Sequence, residues 1–304
     1  MRQINECIRA LRLAVPNCEI KTGEPLRFHT TFAIGGPADL FLVPHTAEDL
    51  TTVLAVLRER DVSFLLLGNG SNMLISDEGI RGAVVCTSEL DSVRVHADGA
   101  VISEAGALLS RIARRAQRVG LSGVEFAGGI PGSLGGAIFM NAGAYDGQMA
   151  GIVTQTTYLD GAGTVQELVG AEHNFDYRQS IFRQHPDWTI LRATLRLPQG
   201  DPAAILEKMN KFAQSRREKQ PLNYPSAGST FKRPTGCFAG QLIESAGLKG
   251  ASVGAAQVSE KHAGFLINRG GASCSDMLKL IELVQQRVYA QFGVLLECEV
   301  RIIT

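Results

Sequence analysis

The chain has 304 residues, too many for one domain core of ordinary size, and its length suggests two or three. Its 30 basic and 30 acidic residues cancel, which removes any general pull toward nucleic acid or an anionic membrane. No apolar run reaches the length of a membrane span, and the opening MRQINECIRALRLAVPNCEIK lacks the apolar centre of a signal peptide, so a cytoplasmic protein is expected.

The first twenty residues hold no functional motif and suggest a packing helix. DLTTVLAVLRER (49–60) places Leu50, Val53, Leu54 and Leu57 on one helical face. VSFLLL (62–67) predicts a buried strand that ends in the loop GNGSN (68–72), the order in which α/β proteins present ligand loops at strand ends. GAVVCT (82–87) predicts a second strand. From 92 the texture changes, and SVRVHADGAVISEAG predicts a hairpin turning at Asp98-Gly99. A helix over 107–119 follows, with Leu109, Ile112, Ala113, Ala116 and Val119 on one face and Gly120 as its stop.

GGIPGSLGGAIFMNAGAY (128–145) comes next, then a hairpin in TQTTYLDGAGTVQEL near Asp160-Gly161, then the strand WTILRATLRL. PQGDP (198–202) marks a boundary. There Asp201 can cap, and Pro202 can open, a helix to about 219 that buries Ile205, Leu206, Met209 and Phe212. A last helix over 276–292 carries Met277, Leu280, Ile281, Val284 and Val288 and stops at Gly293. LLECEVRI then predicts a final strand with Leu296, Cys298, Val300 and Ile302 on one face and Glu297, Glu299 and Arg301 on the other. Hairpins and helices in sequential blocks point to α+β domains rather than one doubly wound sheet.

Glycine is the compositional outlier, 33 residues or about 11 per cent against a usual ~7 per cent. In GNGSN, Gly68 and Gly70 free the backbone around Asn69 to turn N–H groups toward an anion, and Ser71 and Asn72 add side-chain hydrogen bonds. The third glycine of a dinucleotide fingerprint and a Walker lysine are both missing, so an ordinary strand-end turn stays open. Gly128, Gly129, Gly132, Gly135 and Gly136 permit close backbone approach and Pro131 fixes one turn. Ser133, Asn141 and Tyr145 are the polar groups among them. A pyrophosphate held by backbone amides and tight packing fit that loop equally.

SAGSTFKRP (226–234) surrounds Ser229 with small residues, so its hydroxyl could hand a proton to a carbanion if held in place; no nucleophile elbow surrounds it. YRQSIF (177–182) sets Arg178 among apolar groups, where its anionic partner would be a protein or a substrate carboxylate. The six cysteines form no C-x-x-C pair and fit reduced core thiols, and the six histidines lack metal spacing, so no metal site is expected.

Seven strings in order resemble one family, UDP-N-acetylenolpyruvoylglucosamine reductase, the MurB family. They are HTTFAIGGPADLFLVP (29–44), LLLGNGSNML (65–74), AGGIPGSLGGAIFMNAGAYDG (127–147), YRQSIF (177–182), AGSTFKRP (227–234), QVSEKHAGFLIN (257–268) and LECEVRI (296–302). The resemblance implies an α+β, two-domain FAD-binding fold of the vanillyl-alcohol-oxidase (PCMH) type, over 1–88 and 89–200. A C-terminal α+β substrate-binding domain over 201–304 would follow. It implies noncovalent FAD, NADPH as hydride donor, and a UDP-sugar substrate carrying an enolpyruvyl ether, reduced to UDP-N-acetylmuramate for peptidoglycan. A monomer or weak homo-oligomer is expected.

Under that resemblance Gly68, Asn69, Gly70, Ser71 and Asn72 would hold the cofactor. So would Gly129, Ile130, Pro131, Gly132, Ser133, Gly135, Gly136, Asn141, Gly143 and Ala144. Arg178 and Glu299 would stabilise an enolate, with Glu299 keeping or sharing a proton, and Ser229 would protonate the adjacent carbon. Tyr177, Lys232, Arg233 and His262 would bind substrate, the last three facing the diphosphate.

The chain departs from the larger subclass, which has a tyrosine-bearing loop between the arginine and serine motifs. Here 50 residues lie between Arg178 and Ser229, and Tyr224 is their one tyrosine, so the chain resembles the shorter subclass. Arg233 stands where the larger subclass has asparagine and His262 where it has glutamine. An oxidase of the same flavin fold is the rival reading, and a nucleotide-binding protein without catalysis is a rival of another class.

Overall fold

Helical periodicity and turn chemistry account for most elements of the structure, a computed structural model that describes residues 2–96 and 98–304. The chain divides into two units. Met1–Thr22, Leu40–Asn69 and Gly82–Gln214 make the first; Gly23–Asp39, Gly70–Arg81 and Ser215–Thr304 make the second.

In the first unit the Ala47–Glu59 helix starts at Thr46, whose Oγ1 accepts the Asp49 amide at 3.0 Å. Leu50, Val53, Leu54 and Leu57 are fully buried and share a core with Cys7 and Leu11 of the Arg2–Ala14 helix. Each such leucine contributes about 1.5–3 kcal/mol through its burial, which gives the amino-terminal helix its packing role. Phe64–Leu67 and Ile80–Cys86 pair in parallel, with Leu67 opposite Cys86. They belong to a four-stranded sheet in the order Glu19–Pro25, Pro37–Val43, Ile80–Cys86, Phe64–Leu67. Gly68 and Asn69 therefore leave the carboxyl end of a parallel strand, where open sheets present ligand loops.

A five-stranded sheet runs Val165–Val169, Val153–Leu159, Thr189–Arg196, Ala100–Glu104, Val93–Val95. Both expected hairpins are in it. Gly99 turns the first at φ +85°, while Ala97, two residues before it, lies outside the described residues. Asp160 Oδ1 closes the second by accepting the Ala162 and Thr164 amides. The Leu109–Arg118 helix buries Leu109, Ile112, Ala113 and Ala116 with Val101 and Leu195. Val119, expected on that face, is exposed because the helix ends there and Gly120 turns away at φ +72°.

His173 is buried in this unit. Its Nδ1–H donates to Gly170 O at 2.9 Å, its Nε2 accepts from Thr156 Oγ1 at 2.8 Å, and its ring stacks on Phe175. Desolvation pushes its pKa below the ordinary 6.5, so below that pH the unfolded chain takes up a proton that the folded chain refuses. Stability is then lost as pH falls from about 6.5 toward the folded-state value. Urea midpoints measured between pH 7.5 and 5 are expected to fall, and His173→Gln to flatten that fall.

The Pro202–Lys219 helix is capped by Asp201, whose carboxylate accepts the Ala203 and Ala204 amides. Ile205 is buried, but Leu206 is exposed and Met209 and Phe212 are only half-buried, so the apolar face is narrower than its sequence suggests.

In the second unit the Cys274–Phe292 helix opens on a reciprocal cap between Ser273 and Asp276 and stops at Gly293, φ +68°. Met277, Leu280, Ile281, Val284 and Val288 are buried as expected. Asn268 Nδ2 donates to Phe32 O at 3.0 Å, and its Oδ1 accepts the Gly270 and Ala272 amides. Asp77 accepts the Cys274 and Ser275 amides at the start of the long helix. These side chains tie 23–39 and 70–81 to the carboxy-terminal residues. The final strand is shorter than LLECEVRI suggests: Arg301–Ile303 pairs in parallel with Met73–Ile75, and the backbone bends at Val300.

Candidate active site

In the first unit the two glycine loops touch. Asn69 Nδ2 donates to Pro131 O at 2.6 Å, and a Cβ added to Gly68 would lie 2.2 Å from Ser133 Oγ. Gly132 and Ser133 are buried, yet among the described residues their amides donate to no protein acceptor. Ser133 precedes the Leu134–Phe139 helix without capping it through its side chain. Gly136 is exposed, and a Cβ there would meet only Ser133 Oγ, at 3.6 Å. Buried unpaired amides cost free energy unless a ligand accepts from them, so this uncharged cradle fits a diphosphate.

The other residues of the stretch divide differently. Gly129 and Pro131 are exposed at the cradle, and the Ile130 amide is committed to Ala127 O. Gly135 donates its amide to Ala105 O at 2.8 Å, and a Cβ would press on Ala105, so this glycine serves packing. Gly143 and Ala144 pair with Gly147 and Gln148 in a hairpin the sequence reading missed. Tyr145 and Asp146 form its tip with φ +50° and +62°, and the Tyr145 ring stacks on Phe212 at 4.2 Å. The Asp146-Gly147 pair was its sequence signal.

Arg178 belongs to the same unit and is half-buried. Asp176 and Gln179 exchange backbone hydrogen bonds of 3.1 Å each, leaving Tyr177 and Arg178 as the tip of a two-residue turn. Arg178 has φ +54°, a conformation that costs a side chain-bearing residue about 1–2 kcal/mol. Tyr177 is exposed, with the Arg178 guanidinium over its ring at 5.1 Å. Strain at a candidate catalytic residue supports a functional reason for its placement.

The second unit holds Ser229 and Glu299 on paired backbone segments. Glu299 N donates to Thr230 O at 2.8 Å, Phe231 bridges Cys298, and Ser229 bridges Phe265. Thr230 is buried and its Oγ1 accepts the Leu266 amide, which fixes the segment while Ser229 stays exposed and Glu299 half-buried. Asn72 Nδ2 donates to Glu299 O at 3.1 Å, so this residue of the GNGSN loop steadies the Glu299 backbone. A Cβ on Gly70 would strike His29 O at 2.0 Å, and Gly70 O accepts the Thr31 amide. Ser71 beside it is half-buried.

The three residues expected at the diphosphate differ in what they can offer. Lys232 forms an ion pair with Glu297, and its amide donates to Glu297 O. Arg233 is exposed, with its guanidinium 3.7 Å from the Phe238 ring centre. His262 Nδ1 accepts the Gly264 amide, which leaves its proton on Nε2, and burial holds its pKa below the ordinary value. It is neutral at neutral pH and can donate one hydrogen bond but adds no charge. Among the described residues no cluster of three or more His, Cys, Asp or Glu could hold a metal, and no helix is long and apolar enough to cross a membrane.

The model of the FAD binding domain matches residues 38–169, and that of the UDP-N-acetylenolpyruvoylglucosamine reductase C-terminal domain matches 220–303. A UDP-N-acetylenolpyruvoylglucosamine reductase of Caldanaerobacter subterraneus subsp. tengcongensis is 51% identical over 280 residues, covering 92% of each chain. The chain belongs to this reductase family. The solved family member from Thermus caldophilus matches at a TM-score of 0.80 and 33% identity, over 94% of this chain and 100% of that one. p-Cresol methylhydroxylase matches at a TM-score of 0.50 and 11% identity, over 66% of this chain and 44% of that one, a likeness of fold alone. The reductase is an FAD-containing oxidoreductase of α+β architecture, with the PCMH-type flavin fold and a carboxy-terminal reductase domain.

Proposed function

We propose that the protein reduces UDP-N-acetyl-3-O-(1-carboxyvinyl)-glucosamine to UDP-N-acetylmuramate with NADPH, a cytoplasmic step of peptidoglycan synthesis. The regions 1–88 and 89–200 would hold FAD and 201–304 the substrate. The observation that carries this reading is the pairing of the Ser229 and Glu299 segments through Glu299 N and Thr230 O at 2.8 Å. It places a hydroxyl and a carboxyl on neighbouring backbone within the region that matches the reductase domain.

When bound, FAD supplies to the methylene carbon of the enolpyruvyl group a hydride that originates in NADPH. The carbon–carbon double bond is reduced, and negative charge gathers on the substrate carboxylate. Arg178 opposes that charge with its guanidinium, and Glu299 hydrogen-bonds the same group. Ser229 Oγ–H gives its proton to the carbon bearing the carboxylate and recovers one from water. A hydroxyl is a weak acid, so it serves only a strongly basic carbon held in line with it. The cradle residues Gly132 and Ser133 would take the FAD diphosphate with their amides, and Gly129 and Gly136 leave it room.

Arg233 supplies positive charge to the UDP diphosphate, with Tyr177 and the neutral His262 as further contacts and Lys232 shared with Glu297. Arg233→Ala is expected to raise KM for the nucleotide ~5–50-fold at low salt and less at high salt, with kcat little changed. An unchanged KM across salt concentrations would remove Arg233 from the diphosphate site. The reading as a whole is tested by mass spectrometry of the nucleotide after incubation with NADPH in D2O. The product should carry a solvent deuteron at the carbon beside the carboxylate, and any second deuteron should sit on the adjacent methyl group; recovery of unreacted substrate would refute the reading.

A further inference from the structure

We infer that Asn141 and Ser180 are positioning residues that hold the Arg178 turn, an inference that rests on the catalytic reading of Arg178. Asn141 is 1% exposed and its side chain makes three hydrogen bonds within the protein. Its Nδ2 donates to Asp176 O at 2.9 Å and to Gln148 Oε1 at 3.3 Å, and its Oδ1 accepts the Ala150 amide at 2.9 Å. Both hydrogens of its amide are therefore spent within the protein, which leaves this side chain no donor for a cofactor.

Ser180 is also buried, and its Oγ donates to Phe139 O at 2.8 Å. Asp176 lies immediately before the turn tip, and Ser180 lies just beyond Gln179, which closes it. Both ends of the turn are thus tied to one short segment, residues 139–141, at the end of the helix that follows Ser133. Arg183 Nη1 adds a bond to Arg178 O at 2.7 Å. Anchors on both sides explain how the tip keeps Arg178 at φ +54° without a glycine.

Asn141 itself has φ +41°, which asparagine and aspartate tolerate better than other residues. Asn141→Asp therefore keeps the backbone and the acceptor for Ala150 N. It replaces the donor to Asp176 O with an oxygen, setting acceptor against acceptor. The variant is expected to keep FAD through gel filtration and to accept hydride from NADPH within about twofold of the wild-type rate. Reoxidation by the enolpyruvyl nucleotide should slow ~10–100-fold through kcat, since small misplacements of a reacting group cost this much. In an Arg178→Ala background the same substitution should add less than about twofold, because its effect passes through Arg178.

Ser180→Ala removes the second anchor at lower structural risk and should give the same pattern, ~3–10-fold, whether or not Asn141→Asp folds. Loss of flavin, equal slowing of both half-reactions, or full additivity with Arg178→Ala would overturn the positioning role. If Arg178→Ala is slow while both anchor variants reoxidise normally, the positioning role alone fails. If Arg178→Ala itself reoxidises at the wild-type rate, the catalytic reading of Arg178 fails and takes the positioning role with it.

Discussion

Ser229→Ala is expected to leave reduction of the bound FAD by NADPH at the wild-type rate while reoxidation by the enolpyruvyl nucleotide falls ~10²–10⁴-fold. The segment keeps its shape without the hydroxyl, because Thr230 O, Thr230 Oγ1 and the Thr230 amide make the bonds that fix it. Ser229 is exposed, so the truncation leaves no cavity and stability should change by less than about 0.5 kcal/mol. Only the proton donor is lost. Ser229→Cys should restore part of the rate, since a thiol is a better acid than a hydroxyl but carries its proton on a larger atom. Stopped-flow measurement of the two half-reactions separates the outcomes. Equal slowing of both would make Ser229 a structural residue.

Gly68→Val is expected to release FAD before it unfolds the protein. The first atom of the new side chain would lie 2.2 Å from Ser133 Oγ, so Gly68 and Ser133 must move apart and the cradle amides move with them. The strand before Gly68 and the helix after Ser133 are each held by their own backbone bonds. The loss therefore falls on the ligand, about 1–3 kcal/mol or ~5–150-fold in Kd for FAD. Flavin fluorescence on dilution, alongside urea unfolding, measures both quantities. Full flavin occupancy in the variant would return the two loops to a packing role. Gly70→Ala makes a useful contrast, since its Cβ would meet backbone at His29 O and should destabilise the fold itself.

Helices were legible where spacing and caps agreed. Leu50, Val53, Leu54 and Leu57 read as one face, and Gly120 and Gly293 read as stops, because period and stop chemistry are local properties. The second unit was not legible, because residues 23–39 and 70–81 join it through Asn268 and Asp77, side-chain bonds that span some 200 residues and leave no periodic trace. The carboxy-terminal alternation suggested one long strand, but the bond from Glu299 N to Thr230 O and the bend at Val300 divide it.

The candidate site was legible as motifs and their order more than as geometry. Arg178 was visible as a charge in an apolar setting, but nothing local to YRQSIF announces a positive φ at an arginine. Asn141, one of the polar groups in a glycine-rich stretch, was assigned to the cofactor through the family resemblance. A lone amide in IFMNAGA is equally the mark of a buried anchor, which its three bonds within the protein now support. His262 was expected at the diphosphate beside Lys232 and Arg233, yet burial lowers its pKa, so it brings no positive charge there.

The central claim is that Ser229, Glu299 and Arg178 serve reduction of an enolpyruvyl ether, and an anaerobic titration tests it most directly. The protein is reduced with one equivalent of NADPH, and the enolpyruvyl nucleotide is then added in steps without oxygen. The account predicts that one equivalent restores the oxidised flavin spectrum and yields UDP-N-acetylmuramate. A flavin that stays reduced under the nucleotide and reoxidises rapidly only on admission of air would contradict it and identify an oxidase of the same fold.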